Sequence, residues 1–424
     1  MSKSETEIKV MHIIAGNLNG GAARGAYLLH LGLLKKGIHS SVLSNSSSNN
    51  YDNKLSSIAN STQGKIKNAL RQQLDVAPTL FYPSRKNQIF STGFFSGFDF
   101  TKTSTYTAAT IIHLHWINDG FVNIRHLQKV KKPIVWTLRD MWPMTGGCHY
   151  SMDCNNYTDN CGNCPQLNSK SKIDLSSIVI ASKKKFIPPS TKIIGISNWI
   201  SELAKKSSLF KEFDVRTISN NIDTDEFFPI QKEIARSILG ISTNKKIILI
   251  GAHSISDFYK GFNKFIDALG FLNINDYHLC FFGNINPELL NKLGFSFSSF
   301  GFLNDTVALR LTYSAADVFV APSIMDAFGK TLVEAMACET PVVCFNATGP
   351  KDIVDHMVNG YCAIPFIPED IADGIKWICN NPNIDELSKS ARKKAVAYFD
   401  VNIISEKYID IYKEISNYDK SYLA

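Results

Sequence analysis

Short apolar runs alternate with helix-period segments along most of the chain, a pattern typical of βαβ units and a parallel sheet. In the first half this pattern predicts strands over 10–15, 40–43, 111–115, 134–138 and 193–197. It begins again in the second half, with strands over 246–251, 278–283, 317–321 and 341–345. Between the two series lies the polar stretch 219–230, whose Asn, Asp and Pro content is typical of a linker. We therefore expect an α/β protein with two Rossmann-like domains.

The length of 424 residues agrees with two domains, at roughly 100 to 200 residues for each. We expect an N-terminal domain over 1–222, with an insertion at about 44–110 and a cysteine-rich loop at 145–166. A second domain would cover 223–400. Apolar residues keep helical spacing from Ile404 to Ile415, which predicts a final helix within 401–424.

The composition excludes several classes of protein. No apolar run approaches the ~20 residues that span a bilayer, and the first ten residues lack the apolar stretch of a signal peptide. We therefore expect a cytoplasmic protein. The net charge of +7 is modest, and no basic stripe interleaved with aromatic residues suggests nucleic acid. Lysine clusters near 65–71, 129–132 and 183–185 are either solvated faces or a peripheral contact with anionic lipid of the inner membrane.

The segment APSIMDAFGKTLVEAMACETPVV, residues 321–343, carries the strongest local signal. A strand that runs through a loop into a helix is where open α/β sheets bind ligands, and free amides at the helix start suit a diphosphate. Asp326 and Glu334 would accept hydrogen bonds from sugar or ribose hydroxyls. The alternative makes Asp326 a cap and Glu334 a surface helix residue. Lys260 precedes a glycine in another loop and is either a phosphate clamp or a solvated lysine.

A second loop of this kind, AGNLNGGAARGAYLL, follows the first strand. Gly20 and Gly21 would let the backbone approach a ligand closely, although the loop does not match the GxGxxG pattern of dinucleotide-binding loops. His113 and His115 lie near the end of a later strand and share one face of the sheet. A histidine on an apolar strand is either a satisfied core residue or, at a strand end, a site residue, and we favour His115 as a site residue.

The order of these features resembles family four of the retaining glycosyltransferases. The resemblance rests on the glycine loop, His115, ISNWISE, SNNIDTDEFFP, Lys260-Gly261 and PS-x2-D-x-FG-x4-EAMAC-x-TPVV. The segment WTLRDMWPMTGGCHY, with the spaced cysteines after it, is similar to bacterial surface-polysaccharide and O-antigen transferases. The resemblance implies the GT-B architecture, in which two Rossmann-like domains face each other across a cleft and the last helix crosses back to the N-terminal domain.

The resemblance also implies roles for individual residues. Glu334 would bind the donor ribose, Asp326 would reach hydroxyls of the transferred sugar, and Lys260 would hold the diphosphate. Gly20 and Gly21 would approach the diphosphate from the other domain. The remaining implied contacts are His115 near the reacting centre, Phe302 and Leu303 beside the base, and the backbone of Phe328, Gly329, Lys330, Thr331 and Leu332 at the phosphates.

Three departures from the family pattern leave the donor's identity open. Ala252 and His253 stand where the family commonly has an arginine, so one phosphate charge is missing. Asp326 replaces the usual glutamate and is one methylene shorter. Arg139 stands where a histidine often precedes Asp140.

The expected activity is therefore retaining transfer of a hexose-type sugar from a UDP- or GDP-sugar. The acceptor would be a glycan or a glycan linked to polyprenyl diphosphate. A front-face route uses the leaving diphosphate to help deprotonate the acceptor, so catalysis should require no metal cofactor. The alternatives are a catalytically silent partner subunit and, among enzymes of this architecture, a nucleotide-sugar epimerase or a phosphorylase.

Four of the nine cysteines, Cys148, Cys154, Cys161 and Cys164, lie within one short segment. Four thiolates suit a tetrahedral structural zinc, and the spacing Cys161-x2-Cys164 is common in zinc knuckles. Reduced thiols and two disulfides are the alternatives, of which disulfides fit the cytoplasm poorly. His149 is a candidate substitute ligand.

Overall fold

The computed structural model describes residues 7–16, 18, 20–46, 54–86, 88–254, 257–285 and 287–421. The chain forms two compact units. Unit 1 comprises residues 1–218 and 405–424, and unit 2 comprises residues 219–404.

Unit 1 is built on a parallel sheet. Its strands are β1 (Lys9–Ile14), β2 (His39–Ser44), β3 (Leu55–Ser57), β4 (Ile111–Leu114), β5 (Ile134–Leu138), β6 (Lys192–Gly195) and β7 (Val215–Thr217). They pair in the order β3-β2-β1-β4-β5-β6-β7, and every pair is parallel. The central strands β4 and β5 are buried along their whole length, as expected for a sheet that is covered on both faces.

The helices of unit 1 connect and cover this sheet. They are α1 (Gly21–Lys35), α2 (Thr62–Val76), α3 (Ser104–Ala108), α4 (Leu175–Phe186) and α5 (Asn198–Lys206). Helix α1 buries Ala26, Leu29 and Leu33 on one stripe, and Gly37, with φ of 77°, lies just beyond its end. A positive φ at this position is the usual way for a chain to leave a helix.

Unit 2 repeats the architecture with a smaller sheet. Its strands are β8 (Lys246–Ser254), β9 (Tyr277–Asn284), β10 (Ser296–Ser299), β11 (Val318–Ala321), β12 (Val342–Phe345) and β13 (Gly360–Ala363). They pair in the order β10-β9-β8-β11-β12-β13, again all in parallel. Its helices are α6 (Lys232–Ile238), α7 (Phe262–Leu269), α8 (Pro287–Asn291), α9 (Thr306–Ala315), α10 (Lys330–Ala337), α11 (Pro368–Cys379) and α12 (Ile384–Phe399).

The expected fold class is confirmed, because each unit is a parallel sheet connected by helices. The polar stretch 219–230 forms no helix or strand, yet it is held in place. The backbone of Ile222 bonds to Phe399 and Val401, and the Thr224 hydroxyl donates to Asp400 at 2.5 Å. Within the described residues, the structure contains no helix with the length and apolarity needed to span a bilayer.

The final helix α13 (Val401–Ser421) begins in unit 2 and ends in unit 1. There Tyr408 and Tyr412 are buried, with their hydroxyls 2.8 Å from Thr137 Oγ1 and 2.6 Å from His113 Nδ1. Glu414 accepts two hydrogen bonds from the Arg216 guanidinium. The C-terminal segment is therefore part of the unit 1 core.

Candidate functional site

Two loops of unit 2 meet at the carboxyl ends of β8 and β11. The backbone oxygen of Tyr259 accepts hydrogen bonds from Ile324 at 2.9 Å and Met325 at 3.2 Å. Gly261 has φ of 67°, and a Cβ there would lie 1.9 Å from the Pro322 oxygen. Only glycine fits such a close approach. The loop that carries Lys260 is thus fixed against the loop that carries Asp326.

Lys260 and Asp326 form an ion pair at this junction. Lys260 Nζ lies 2.7 Å from Asp326 Oδ2, and the other carboxylate oxygen accepts from the Phe328 amide at 3.1 Å. Burial opposes the charge of Asp326, but Lys260 and the amides of Phe328 and Gly329 outweigh it and lower the pKa of this carboxyl. Burial likewise opposes the charge of Lys260, and Asp326 outweighs it, so the pKa of Lys260 is raised. Both groups are therefore charged near neutral pH.

A cavity opens beside this pair at the start of α10. It is lined by Ile250, Gly251, Ala252, Lys260, Val320, Ala321, Pro322, Ser323 and Thr331. Thr331 belongs to the first turn of α10, where backbone amides have no acceptor within the helix. Gly329 precedes this turn with φ of 100°. The cavity thus combines a fixed ammonium group with a helix start, which are two features that stabilise a bound anion.

Glu334 is buried on the same helix, with 5% of its surface exposed. Tyr313 donates a hydrogen bond from its hydroxyl to Glu334 Oε2 at 3.0 Å, and Lys330 Nζ lies 3.5 Å from Oε1. The alternative of a surface helix residue is therefore wrong. Because Glu334 already binds two neighbours, any ribose hydroxyl would join an existing polar cluster.

The structure places the other predicted donor residues in both units. Phe302 and Leu303 lie between β10 and α9, in unit 2, and Phe302 is 43% exposed. Gly20 and Gly21 begin α1 in unit 1, and a Cβ added to Gly21 would meet nothing within 4 Å. Unit 2 therefore brings Lys260, Asp326 and α10 together, while a role for the glycine loop beside them stays a prediction.

His115 lies inside unit 1, with only 1% of its surface exposed. Its Nε2 is 2.9 Å from His12 Nδ1, and its Nδ1 is 3.3 Å from the Arg139 guanidinium. An arginine can only donate, so His115 Nδ1 accepts and Nε2 carries the proton. Burial, together with the charge of Arg139, lowers the pKa of His115 well below its ordinary value. This placement favours a satisfied core residue over a contact with the transferred sugar.

His12, His113 and His115 also form a cluster that resembles a metal site. Among the residues that the structure describes, this is the only group of three or more ligand-type side chains whose ligand atoms all lie within 4.8 Å of one another. Both nitrogens of His113, however, already meet hydroxyl groups of Tyr412 and Thr137. The Arg139 cation lies beside His115. The cluster is therefore better described as a neutral hydrogen-bonded network.

A histidine–carboxylate pair that the sequence did not single out lies at the carboxyl ends of β4 and β5. His149 Nδ1 is 2.6 Å from Asp140 Oδ2, which also accepts from Trp116 Nε1 at 2.8 Å. His149 Nε2 is 2.9 Å from the Ser91 hydroxyl, so both ring nitrogens have partners and His149 is not a metal ligand here. The sequence feature that could have indicated this pair is the position of Asp140 just after a buried strand, since α/β sheets bind ligands at the carboxyl ends of their strands.

These features define the class of the protein: two Rossmann-like units of the GT-B type, with a cavity beside a lysine at the start of a helix in the second. The family described as glycosyl transferases group 1 matches residues 231–397. For this part of the chain, the match confirms the resemblance expected from the sequence.

Three known proteins illustrate the similarity. WcaC of Escherichia coli K12, named as a colanic acid biosynthesis glycosyl transferase, is 26% identical over 63% of this chain and 68% of its own length. The N,N'-diacetylbacillosaminyl-diphospho-undecaprenol alpha-1,3-N-acetylgalactosaminyltransferase of Campylobacter jejuni is 26% identical over 46% of this chain and 53% of its own. The structure of Anabaena HepE with UDP-glucose has a TM-score of 0.63 at 16% identity, covering 98% of this chain and 100% of that one.

The similarity to HepE concerns the fold alone. Two further matches to curated proteins, at 33% and 36% identity, cover only 29% and 24% of those proteins. The similarity to the family therefore concerns the C-terminal part of the chain, whereas the identity of the substrates depends on arguments from the site.

Proposed function

We propose that the protein is a retaining glycosyltransferase that uses a nucleotide-diphosphate sugar. The observation that carries this proposal is the Lys260–Asp326 pair beside the start of α10, next to a cavity at the carboxyl ends of β8 and β11. A diphosphate in this cavity would meet one ammonium group and the helix amides. The complex of HepE with UDP-glucose supports a UDP-sugar as the donor, and a GDP-sugar is the alternative.

Each residue at this site has a proposed role. Lys260 and the backbone of Phe328 to Leu332 stabilise the charge that develops on the leaving diphosphate. Asp326 orients Lys260 and reaches hydroxyls of the transferred sugar, and Glu334 binds the donor ribose. The departing phosphate helps to deprotonate the acceptor hydroxyl, so the reaction needs neither a protein nucleophile nor a metal ion.

We further propose a glycan acceptor linked to polyprenyl diphosphate, at the cytoplasmic face of the inner membrane. The Campylobacter and Escherichia coli relatives are named for a lipid-linked sugar and a surface polysaccharide, which supports this acceptor class. In unit 1, α2 and the turn after it expose several large apolar side chains: Ile66, Leu70, Leu74, Leu80 and Phe81. Lys65 and Lys67 are exposed beside them. An apolar surface with adjacent cations suits an anionic membrane.

Two measurements test the proposed activity. Calorimetric titration with UDP, GDP and ADP identifies the nucleotide, and a panel of its sugars with lipid-linked acceptors then tests transfer. A silent partner subunit would bind without turnover, and an epimerase would change the sugar without releasing nucleotide. Either result would replace the proposal.

A matched pair of variants tests the site. Lys260→Met should weaken binding of the nucleotide diphosphate by about 1.5 to 3 kcal/mol, the range for a hydrogen bond to a charged group. Lys389→Met removes an exposed cation from α12 and should leave affinity unchanged. Equal affinities for the two variants would remove Lys260 from the donor site.

A further inference from the structure

Four cysteines of unit 1 surround one small cavity. Cys148, Cys154, Cys161 and Cys164 all lie in the segment between β5 and α4, and none of them forms a disulfide. The other lining residues are Phe90, Gly146, Ser151, Asn156, Tyr157, Gly162 and Ser176. Four cysteines from a segment of 17 residues thus line one small cavity.

Backbone groups lie close to these cysteines. The amides of Gln166 and Leu167 lower the pKa of Cys164, and the Gly146 amide lowers that of Cys161, but burial outweighs them and raises both pKa values. The Thr145 hydroxyl donates to the backbone oxygen of Cys148 at 2.5 Å. A metal ion that bound these side chains would therefore have to displace their protons, as metal binding to cysteine generally does.

The turn between the last two cysteines is unusual in its backbone. Cys161, Gly162 and Asn163 have φ of 56°, 83° and 45°, so three consecutive residues adopt the left-handed region. A Cβ at Gly162 would lie 2.3 Å from the Lys172 oxygen. Strained turns persist only where their surroundings hold them, and here the turn places Cys161 and Cys164 at the same cavity.

A buried lysine lies next to the cavity. Lys183 on α4 is fully buried and donates to the backbone oxygens of Trp142 and Thr145. Burial lowers the pKa of Lys183 to about 7, and Cys148 and Cys161 act in the opposite direction. Four thiolates around one divalent cation leave a net charge of about −2, part of which an ammonium group at this position would compensate.

We propose that these four cysteines bind one structural Zn²⁺ ion. Zinc–sulfur bonds of about 2.3 Å would place the sulfurs about 3.8 Å apart. In the part of the chain that the structure describes, no three of these sulfurs lie within 4.8 Å of one another. Binding must therefore contract the segment, and the loop should be less ordered without metal.

The proposed zinc site lies close to the carboxyl edge of the unit 1 sheet. Cys148 directly precedes His149, whose ring contacts Asp140 at the carboxyl edge of the unit 1 sheet. The His149 oxygen also accepts from the Met141 amide at 3.0 Å. Zinc would brace this edge, which is where α/β sheets bind ligands.

The full chain, purified under reducing conditions without chelator, provides the test. Elemental analysis should find about one zinc per chain, and replacement by Co²⁺ should give the intense visible and near-ultraviolet absorption of tetrahedral cobalt thiolates. Cys161→Ser should lose most of the metal. Cys379→Ser changes a buried cysteine of unit 2 and should keep it.

If Cys161→Ser fails to fold, the cobalt spectrum of the unaltered protein still shows whether thiolates bind the metal. Zinc well below one per chain after reconstitution, together with no cobalt–thiolate absorption, would overturn the proposal. So would mass spectrometry that finds two disulfides among these cysteines in protein never exposed to air. Nucleotide binding by unit 2 is measured separately, so neither result decides the proposed function.

Discussion

At the scale of single residues, the Lys260–Asp326 pair sets the charge of the proposed donor site before a donor arrives. Lys260 is about one third exposed, and its ammonium group is held by a carboxylate that is itself held by the Phe328 amide. A diphosphate would therefore meet a cation that is already oriented, so orienting it would cost little free energy on binding. Such preorganisation is what electrostatic catalysis requires.

The charged state of Asp326 makes a prediction about acid stability. Its pKa is lowered from the ordinary 3.8, so its stabilisation is present above about pH 4 and is lost as pH falls through the lowered pKa. Asp326→Asn should cost about 1 kcal/mol of unfolding free energy at pH 6, because the ion pair is partly exposed. The difference from the unaltered protein should shrink below pH 4. Lys260, with a raised pKa, contributes no change in this range.

Urea unfolding from pH 3 to pH 7 measures this effect. Asp267→Asn, at an exposed position on α7, is the control and should differ from the unaltered protein by less than about 0.5 kcal/mol throughout. A pH-independent cost for Asp326→Asn would contradict the ion-pair explanation.

The role of Glu334 is better tested by substitution with glutamine than by substitution with alanine. The sequence predicts that Glu334→Ala abolishes transfer while the fold stays intact. In the structure, alanine would remove the acceptor of the buried Tyr313 hydroxyl. We therefore expect Glu334→Ala to lose about 1 to 3 kcal/mol of unfolding free energy. Glu334→Gln keeps an acceptor oxygen and should lose transfer with little loss of stability.

The measurements are sugar transfer at saturating donor and chemical unfolding of both variants. Equal unfolding free energies for the two variants would show that the contact with Tyr313 contributes nothing. Full transfer by Glu334→Gln would remove Glu334 from the proposed ribose site.

Some residue roles at the candidate site could be predicted from the sequence, and others could not. The roles expected of Lys260 and Asp326 follow from local order, because each residue lies in a loop between a strand and a helix that are consecutive in the chain. Their contact with each other, across 66 residues, does not follow from local order. The environments of Glu334 and His115 depend on Tyr313, His12 and Arg139, which are distant in sequence or on other strands. A single sequence carries no signal for those contacts.

At the scale of elements, the strands that the sequence missed share one property. They are β3, β7, β10 and β13, the two edges of each sheet. Edge strands here have three or four residues, and three of them contain no buried residue. The predicted strands lie inside the sheets, where continuous apolar runs are needed. Hydrophobic patterning therefore predicts the interior of a sheet and misses its edges.

Helix α2 gives the prediction that belongs to this scale. If its apolar face contacts an anionic membrane, then Leu70→Glu with Leu74→Glu should strongly reduce binding to vesicles that contain phosphatidylglycerol. The matched control is Ile234→Glu with Ile238→Glu on α6, where both side chains are also exposed. Cosedimentation with and without phosphatidylglycerol measures both. Equal binding of the two double variants would place the membrane contact elsewhere.

At the scale of the whole molecule, the chain order and the compact units do not coincide. Unit 1 takes residues from both ends of the chain, and unit 2 is formed by the stretch between them. The spacing of apolar residues predicts that the C-terminal residues form a helix. The hydrogen-bond partners of Tyr408 and Tyr412, however, lie on β4 and β5, about 270 to 300 residues earlier in the chain. Such contacts are a property of the folded chain and leave no local pattern.

The contribution of α13 to unit 1 can be measured with three tyrosine variants. Tyr412 is fully buried, so Tyr412→Ala should cost about 3 to 5 kcal/mol through lost burial and a cavity, the range for large aromatic residues. Tyr412→Phe removes only the hydroxyl near His113 and should cost about 1 kcal/mol. Tyr398→Ala, at a position 58% exposed on α12, should cost less than about 0.5 kcal/mol.

Tryptophan fluorescence during chemical unfolding is the appropriate probe, because Trp116, Trp136, Trp142 and Trp199 lie in unit 1 and only Trp377 lies in unit 2. A chain that ends at Asp400 should unfold at lower denaturant still, since it also lacks Tyr408 and the Glu414 partner of Arg216. If Tyr412→Ala and Tyr398→Ala shifted the fluorescence transition equally, or if the shortened chain kept the full stability, then α13 would not be part of the unit 1 core.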